Sequence, residues 1–299
     1  MVNLAPTRRT VLGGLALAAL PPCAPSQGAE AASRRIVTLD GLFTETLLAI
    51  GRVPVATANR PLYEKLTAVP ALPAEVVDLG PLQEPNLELL QMLRPDLIVA
   101  ATLQAQTQTA LARIAPVIPF PTLAGAVPPL DHLRRMTLDL GRLAGREAAA
   151  DALVSRTDLT LEAAHGRLAG RTARPVYIAR LREDGRQVAM FGGKSTVGAV
   201  AARLGLANAW AGRQSGAGTA VAGIEDLAGT PDALFVHFDR GSETARALER
   251  LNGSPIWQAL PFVRENRILA LPVVHPNGGL PSAARFAGQL AARLPAEPA

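Results

Sequence analysis

Residues 83–102 read QEPNLELLQMLRPDLIVAAT, and within them a short amphipathic run passes directly into an unbroken apolar one. Leu87, Leu90 and Leu93 recur at helical spacing, and Arg94-Pro95-Asp96 stops that helix. Leu97-Ile98-Val99-Ala100-Ala101 follows with no polar alternation, as a strand covered on both faces requires. Such strands belong to parallel sheets flanked by helices. Pro85 suits a first helical position, and Glu84 and Glu88 stand around the helix start, where acids complement the helix dipole.

The alternation extends in both directions. Strands are predicted over 35–39 and 53–57 around a helix at 44–50, with Arg60 and Tyr63 in the loop beyond. A helix over 107–114 and a strand over 117–119 come next, so this part reads as βα units. From 129 to 169 apolar residues keep helical spacing with no strand signal, and Gly141 and Gly145 are the places where this helix breaks, if it does. Alternation resumes with strands at 175–179 and 188–191, a helix at 195–204 capped by Ser195, and a short helix at 224–228. A strand at 233–238, a helix at 248–260, a strand at 268–272 and a last helix at 281–294 complete the chain. The division is an N-terminal α/β lobe over 32–128, a backbone helix over 129–169 and a C-terminal α/β lobe over 170–299.

The halves share a short text. Glu88 and Glu225 each open a short helix that ends at Pro-Asp (Pro95-Asp96, Pro231-Asp232) before an apolar strand. Glu225 is therefore the counterpart of Glu88.

Hydrophobic residues make up 48% and charged residues 18%, an ordinary globular balance. The pI of about 10.3 comes from arginines spread along the chain, with Lys65 and Lys194 the only lysines. Without a dense basic run or interleaved aromatics, nucleic acid is excluded as a partner. Residues 1–31 read as an export signal: Arg8-Arg9, an apolar stretch from Val11 to Leu20, and Ala29-Glu30-Ala31 at the cleavage site. The apolar stretch is too short to cross a bilayer. Thr7-Arg8-Arg9-Thr10-Val11-Leu12 is similar to the twin-arginine signal without its usual phenylalanine, which leaves general secretion as the alternative route. Cleavage removes Cys23, the only cysteine. Leu20-Pro21-Pro22 is a poor setting for lipidation of Cys23, so the mature product is expected to be a soluble periplasmic monomer.

Enzymatic motifs are incomplete. Gly192-Gly193-Lys194-Ser195-Thr196 has Val188 where a phosphate-binding loop needs its first glycine. No Gly-x-Ser-x-Gly or His-Glu-x-x-His occurs. His132 and His165 fall on the connector, where a solvated face is the default. His237, Asp239 and His275 end or follow strands and support a rival reading as an exported metal-dependent α/β enzyme. The expectation is a protein that is not an enzyme, with no catalytic residues, metal ligands or cofactor of its own.

An ordered set of segments resembles a known family. Glu84-Pro85-Asn86-Leu87-Glu88-Leu89-Leu90, Leu111-Ala112-Arg113-Ile114-Ala115-Pro116, Asn208-Ala209-Trp210, Thr219-Ala220-Val221 and Pro255-Ile256-Trp257-Gln258-Ala259-Leu260-Pro261-Phe262-Val263-Arg264 lie in sequence across nearly the whole mature chain. They are similar to the ferric-hydroxamate (ferrichrome-type) siderophore-binding proteins, the substrate-binding subunits of iron-importing ABC transporters. The resemblance implies a class III periplasmic binding fold: two Rossmann-like α/β lobes, a long backbone helix, and an iron(III)-siderophore complex in the cleft. It implies that Glu88 and Glu225 dock the inner-membrane permease. The family's ligand-site positions fall here on Leu82, Gln104, Ala217, His275 and Asn277, with Tyr63 added from the loop. Leu82 replaces an arginine, Gln104 a tyrosine, Ala217 a tryptophan, and His275 and Asn277 aromatics. The pocket is thus expected to be more polar than the family's, with Arg60, Arg180 and Arg182 either facing an anionic chelate or solvated. Cobalamin or haem in the same fold is the alternative cargo.

Overall fold

The computed structural model describes Met1 and residues 34–102, 105–170 and 174–294. The export-signal expectation for 1–31 therefore lies outside the described residues.

The N-terminal lobe runs β1 (Ile36–Thr38), α1 (Gly41–Ala49), β2 (Ala56–Thr57), α2 (Arg60–Leu66), β3 (Val77–Asp78), α3 (Leu87–Met92), β4 (Leu97–Ala101), α4 (Ala105–Ala112) and β5 (Val117–Phe120). Its sheet is wholly parallel in the order β3-β2-β1-β4-β5. Leu97, Ile98, Val99 and Ala100 are all buried, as their lack of alternation predicts. The helix before them starts later than Pro85 suggests. Asn86 is its cap, its side-chain oxygen accepting the Leu89 N–H at 2.9 Å, because a short polar side chain satisfies an orphan donor that proline cannot reach. Glu84 lies before the cap, so Glu88 alone is in the first turn.

The connector is two helices, α5 (Pro129–Ala144) and α6 (Glu147–Leu168). The break falls at Gly145, in the left-handed conformation at φ 62° that glycine adopts without steric cost. Gly141 acts through packing instead. A Cβ there would stand 2.4 Å from Ala150 Cβ, so its bare backbone lets α5 and α6 close on each other.

The C-terminal lobe contains β6 (Val176–Leu181), β7 (Gln187–Phe191), α7 (Thr196–Arg203), β8 (Thr219–Gly223), a 3₁₀ turn at Ile224–Gly229, β9 (Leu234–Asp239), α8 (Ser242–Asn252), α9 (Pro255–Ala259), α10 (Pro261–Arg264), β10 (Ile268–Pro272) and α11 (Leu280–Arg293). Ser195 caps α7. The sheet order is β10-β9-β6-β7-β8, and β7 runs antiparallel to both neighbours. β6 and β7 are joined by a hairpin, too short for the crossover that a parallel pair needs. Asp184 accepts the Arg186 and Gln187 N–H groups in that turn. The predicted helix at 248–260 is α8 and α9, separated where Gly253-Ser254-Pro255 ends one and caps the next. Strand β8 is not expected from its small residues.

The two sheets match strand for strand when β1 is set on β6 and β4 on β9. Glu88 precedes β4 and Glu225 precedes β9, so the short shared text marks equivalent positions. The Pro-Asp turns match too: Asp96 accepts the Arg35 N–H at 2.7 Å, and Asp232 pairs with Arg174.

Apolar packing ties each sheet to the helices around it, and Leu280 at the start of α11 packs into the N-terminal core. Phe43, Leu47, Val99, Leu140 and Leu153 join one sheet to the connector, while Ile178, Val236, Phe238, Phe286 and Leu290 join the other to α11. Each such fully buried side chain contributes about 1.5–3 kcal/mol by leaving water.

Candidate ligand-binding cleft

A cavity of about 240 Å³ lies between the lobes and is lined by both. In an α/β sheet the loops after the strands are where ligand-facing groups gather. Accordingly, the N-terminal wall comes from the turns after β1 (Leu39, Asp40, Gly41, Leu42), β2 (Ala58, Asn59) and β5 (Thr122, Leu123, Ala124), with Leu62, Tyr63 and Thr67 on or after α2 and Leu82 before α3. Pro129, His132 and Leu133 of α5 line it as well. The C-terminal wall is Lys194 and Thr196 at the start of α7, Gly216 and Ala217 before β8, and His275 and Asn277 after β10.

The polar lining is tied down by local bonds. Asp40 caps α1 by accepting the Leu42 N–H at 2.8 Å, and burial raises its carboxyl above the ordinary carboxylate value against that bond. Asn59, at φ 53°, caps α2 in the left-handed region that asparagine tolerates. The Tyr63 hydroxyl donates to Pro70 O at 2.7 Å, and burial, with Glu45 nearby, raises it above the usual phenol value. His132 Nε2 lies 2.7 Å from Pro121 O. Asn277 Oδ1 accepts the Thr196 N–H at 3.3 Å, and the Asn277 N–H donates to His275 Nδ1 at 3.2 Å. Burial and then the Arg180 charge push His275 down to about 4, so its ring is neutral. Among the described residues, Lys194 is the only lysine or arginine in the lining. The lining therefore mixes apolar side chains with hydrogen-bonding groups and holds one carboxyl, Asp40, beside one lysine, Lys194.

Of the positions expected to hold ligand, Tyr63, Leu82, Ala217, His275 and Asn277 come together around this space. Gln104 lies outside the described residues. Arg60 does not face the cavity: it donates to Glu64 at 2.8 Å, to Val76 O at 2.7 Å and to Pro73 O at 3.2 Å, and these bonds hold the loop before β3. The reading of Arg60 as facing an anion is corrected accordingly. Arg182 is exposed near Asp184 in the β6–β7 turn, and Arg180 is half-buried on β6, outside the lining. Glu88 and Glu225 are both exposed.

Sequence reasoning misses Asp40, Asn59, His132, Lys194 and Thr196. The signal for the first two is their place directly after strands. His132 reads as part of a solvated face because nothing in the apolar spacing shows that the first turn of α5 abuts the β5 loop. The metal-enzyme rival finds no donor set: among the described residues no three His, Cys, Asp or Glu side chains converge to hold a metal, and His237 is buried in β9 beside Phe235.

Two α/β lobes bridged by helices, with a cavity lined by both, are the architecture of a two-lobed ligand-binding protein. The chain belongs to the periplasmic binding protein family, whose profile matches residues 36–274. It is 32% identical over 283 residues to the iron(3+)-hydroxamate-binding protein FhuD of Escherichia coli (strain K12), covering 94% of each chain. It is 28% identical over 247 residues to the achromobactin-binding periplasmic protein of Dickeya dadantii (strain 3937), covering 79% of this chain and 77% of that one. Among solved structures, Fe3+–Desferal-bound FhuD from Vibrio cholerae superposes with a TM-score of 0.77 at 26% identity, over 87% of this chain and 97% of the other.

Proposed function

We propose that this chain is the substrate-binding subunit of an ABC importer, which captures a ferric siderophore between its lobes and delivers it to an inner-membrane permease. The observation that carries this reading is the cavity itself, walled by strand-end loops of both lobes and lined by apolar side chains and hydrogen-bonding groups, with one carboxyl, Asp40, and one lysine, Lys194. A ferric hydroxamate core, with its charge internally balanced, suits such a lining because it brings no net charge of its own to be matched. The similarity to iron(3+)-hydroxamate-binding and Fe3+–Desferal-bound proteins supports the same cargo class. The protein carries no reaction of its own; it acts from the periplasm after export through the twin-arginine route, as a monomer.

Delivery falls to the two exposed acids. Glu88 and Glu225 sit before equivalent strands of the two lobes, so a pseudo-twofold permease meets one carboxylate from each. Fluorescence titration of the mature protein with Fe3+–Desferal, ferric citrate and a ferric catecholate tests the capture. Saturable quenching by a ferric chelate is expected, and binding of cobalamin or haem with none of the chelates bound would overturn it.

A further inference from the structure

The N-terminal wall of the cavity carries one carboxyl, and among the described residues no basic group pairs with it. Asp40 follows β1 and lines the cavity together with Gly41 and Leu42. Its Oδ1 accepts the Leu42 N–H at 2.8 Å. Its carbonyl oxygen accepts the Phe43 and Thr44 N–H groups at 3.2 Å and the Thr44 hydroxyl at 3.1 Å. The first turn of α1 therefore fixes where the carboxyl stands, and it cannot turn away from the cleft without giving up the cap.

The second oxygen is left over. Among the described residues Oδ2 meets no donor, and on this half-buried residue it is not sealed from the cleft. Gly41, the next residue in the lining, has no side chain to cover it. Lys194, the one cation in the lining, stands on the opposite wall at the start of α7 and forms no ion pair with Asp40. Burial raises the Asp40 carboxyl with no positive charge to oppose it. A carboxylate partly withdrawn from water and without a counter-charge is costly, and a cation that arrives with the ligand relieves that cost.

The surroundings narrow the kind of cation. A metal ion needs several oxygen donors, and no other carboxyl lines the cavity. A guanidinium matches two oxygens at once, whereas Oδ1 is already committed to Leu42. An ammonium is a point charge that a single oxygen can hold through a charge-assisted bond. Leu42, Leu62 and Leu123 in the same wall suit the methylene chain that would carry it.

We propose that Asp40 is a specificity-determining residue of the cleft, whose free carboxylate oxygen binds an ammonium-bearing arm of a ferric hydroxamate chelate. The assignment rests on the ferric-siderophore reading and adds a selectivity to it: of two chelates with the same iron-bearing core, the one with a primary ammonium gains.

Fe3+–Desferal ends in such an ammonium, and N-acetylation removes the charge while leaving the iron coordination alone. Fluorescence titration of both chelates against the wild-type protein and Asp40→Asn tests the assignment, since asparagine keeps the helix cap and loses the charge. The wild-type protein is expected to bind Fe3+–Desferal about tenfold more tightly than the acetylated form, the effect of one charge-assisted bond, and the ratio is expected to fall near one in Asp40→Asn. Asp40→Ser, a second capping residue without charge, should show the same fall. Equal wild-type affinities, or a preference that survives both substitutions and is therefore steric, overturn the subsite and leave capture standing. Binding of ferric citrate or a ferric catecholate with neither hydroxamate has the same meaning. Binding of none of these chelates overturns capture itself.

Discussion

Glu45 of α1 accepts a 2.6 Å hydrogen bond from the Ser282 hydroxyl of α11, and this wholly buried pair joins the two lobes. The second carboxylate oxygen accepts the Gly279 N–H at 2.8 Å, at the start of α11, where the helix dipole favours a negative charge. Burial outweighs these bonds and raises the Glu45 carboxyl to about 7.

That shift sets a direction. Above 4.5 the unfolded chain gives up the proton that the folded chain keeps until about 7, so this group makes stability fall as pH rises across that window. The size is on the order of 3 kcal/mol. In Glu45→Gln this contribution is gone, so stability should rise from pH 5 to pH 8 relative to the parent, as read by urea unfolding; an unaltered difference between the two pH values would rule it out.

His275 acts with the opposite sign. Its ring is held neutral down to about 4, whereas in the unfolded chain it takes a proton near 6.5, so stability is lost as pH falls from 6.5 towards 4. The two windows overlap and largely offset each other in the wild-type protein. His275→Asn is expected to leave a chain that becomes steadily more stable from pH 7 to pH 5. If the variant is instead as flat between pH 7 and pH 5 as its parent, His275 is not the responsible group.

Gly141→Ala should cost about 1–3 kcal/mol, because the added methyl meets Ala150 Cβ at 2.4 Å and pushes α5 from α6. For a chain of this size that is a melting-temperature drop of several degrees. The double variant Gly141→Ala with Ala150→Gly should recover most of it, and absence of recovery would place the cost elsewhere.

Glu88→Ala with Glu225→Ala is expected to leave chelate affinity within about twofold and to reduce iron uptake far more than either change alone, the pattern of a two-point electrostatic contact. Normal uptake by the double variant in cells that depend on this protein would confine both acids to local helix stabilisation, worth about 0.3–1 kcal/mol each.

Much of this architecture is legible in the chain. The run from Leu97 to Ala101 has no polar face and is buried from Leu97 to Ala100, and the pairing of Glu88 with Glu225 survives as equivalent places in two sheets. The hairpin of β6 and β7 stays hidden because periodicity shows that a strand exists and not which way it runs. The site is half legible. Tyr63, Ala217, His275 and Asn277 reach the cavity, but Arg60 turns to the carbonyls of its own loop. A charged side chain near a strand end has two sinks for its donors, and only packing decides between them. Asp40 and Asn59 cap helices in the structure, and that the same residues border a cavity depends on the second lobe, far along the chain.

The polar ties between the lobes have a mechanical consequence. Glu45 to Ser282 and Gly279, Arg285 to the Thr67 and Val69 carbonyls, and Lys65 to Glu243 all fasten α1, α2 and the segment after them to the opposite lobe. Leu123 and Gly216 line the cavity from opposite lobes, and among the described residues no hydrogen bond joins them. The ties are therefore unevenly placed: the hydrogen bonds and the ion pair between the lobes gather on α1, α2 and the segment after them, so a relative motion that keeps those bonds is the one they resist least.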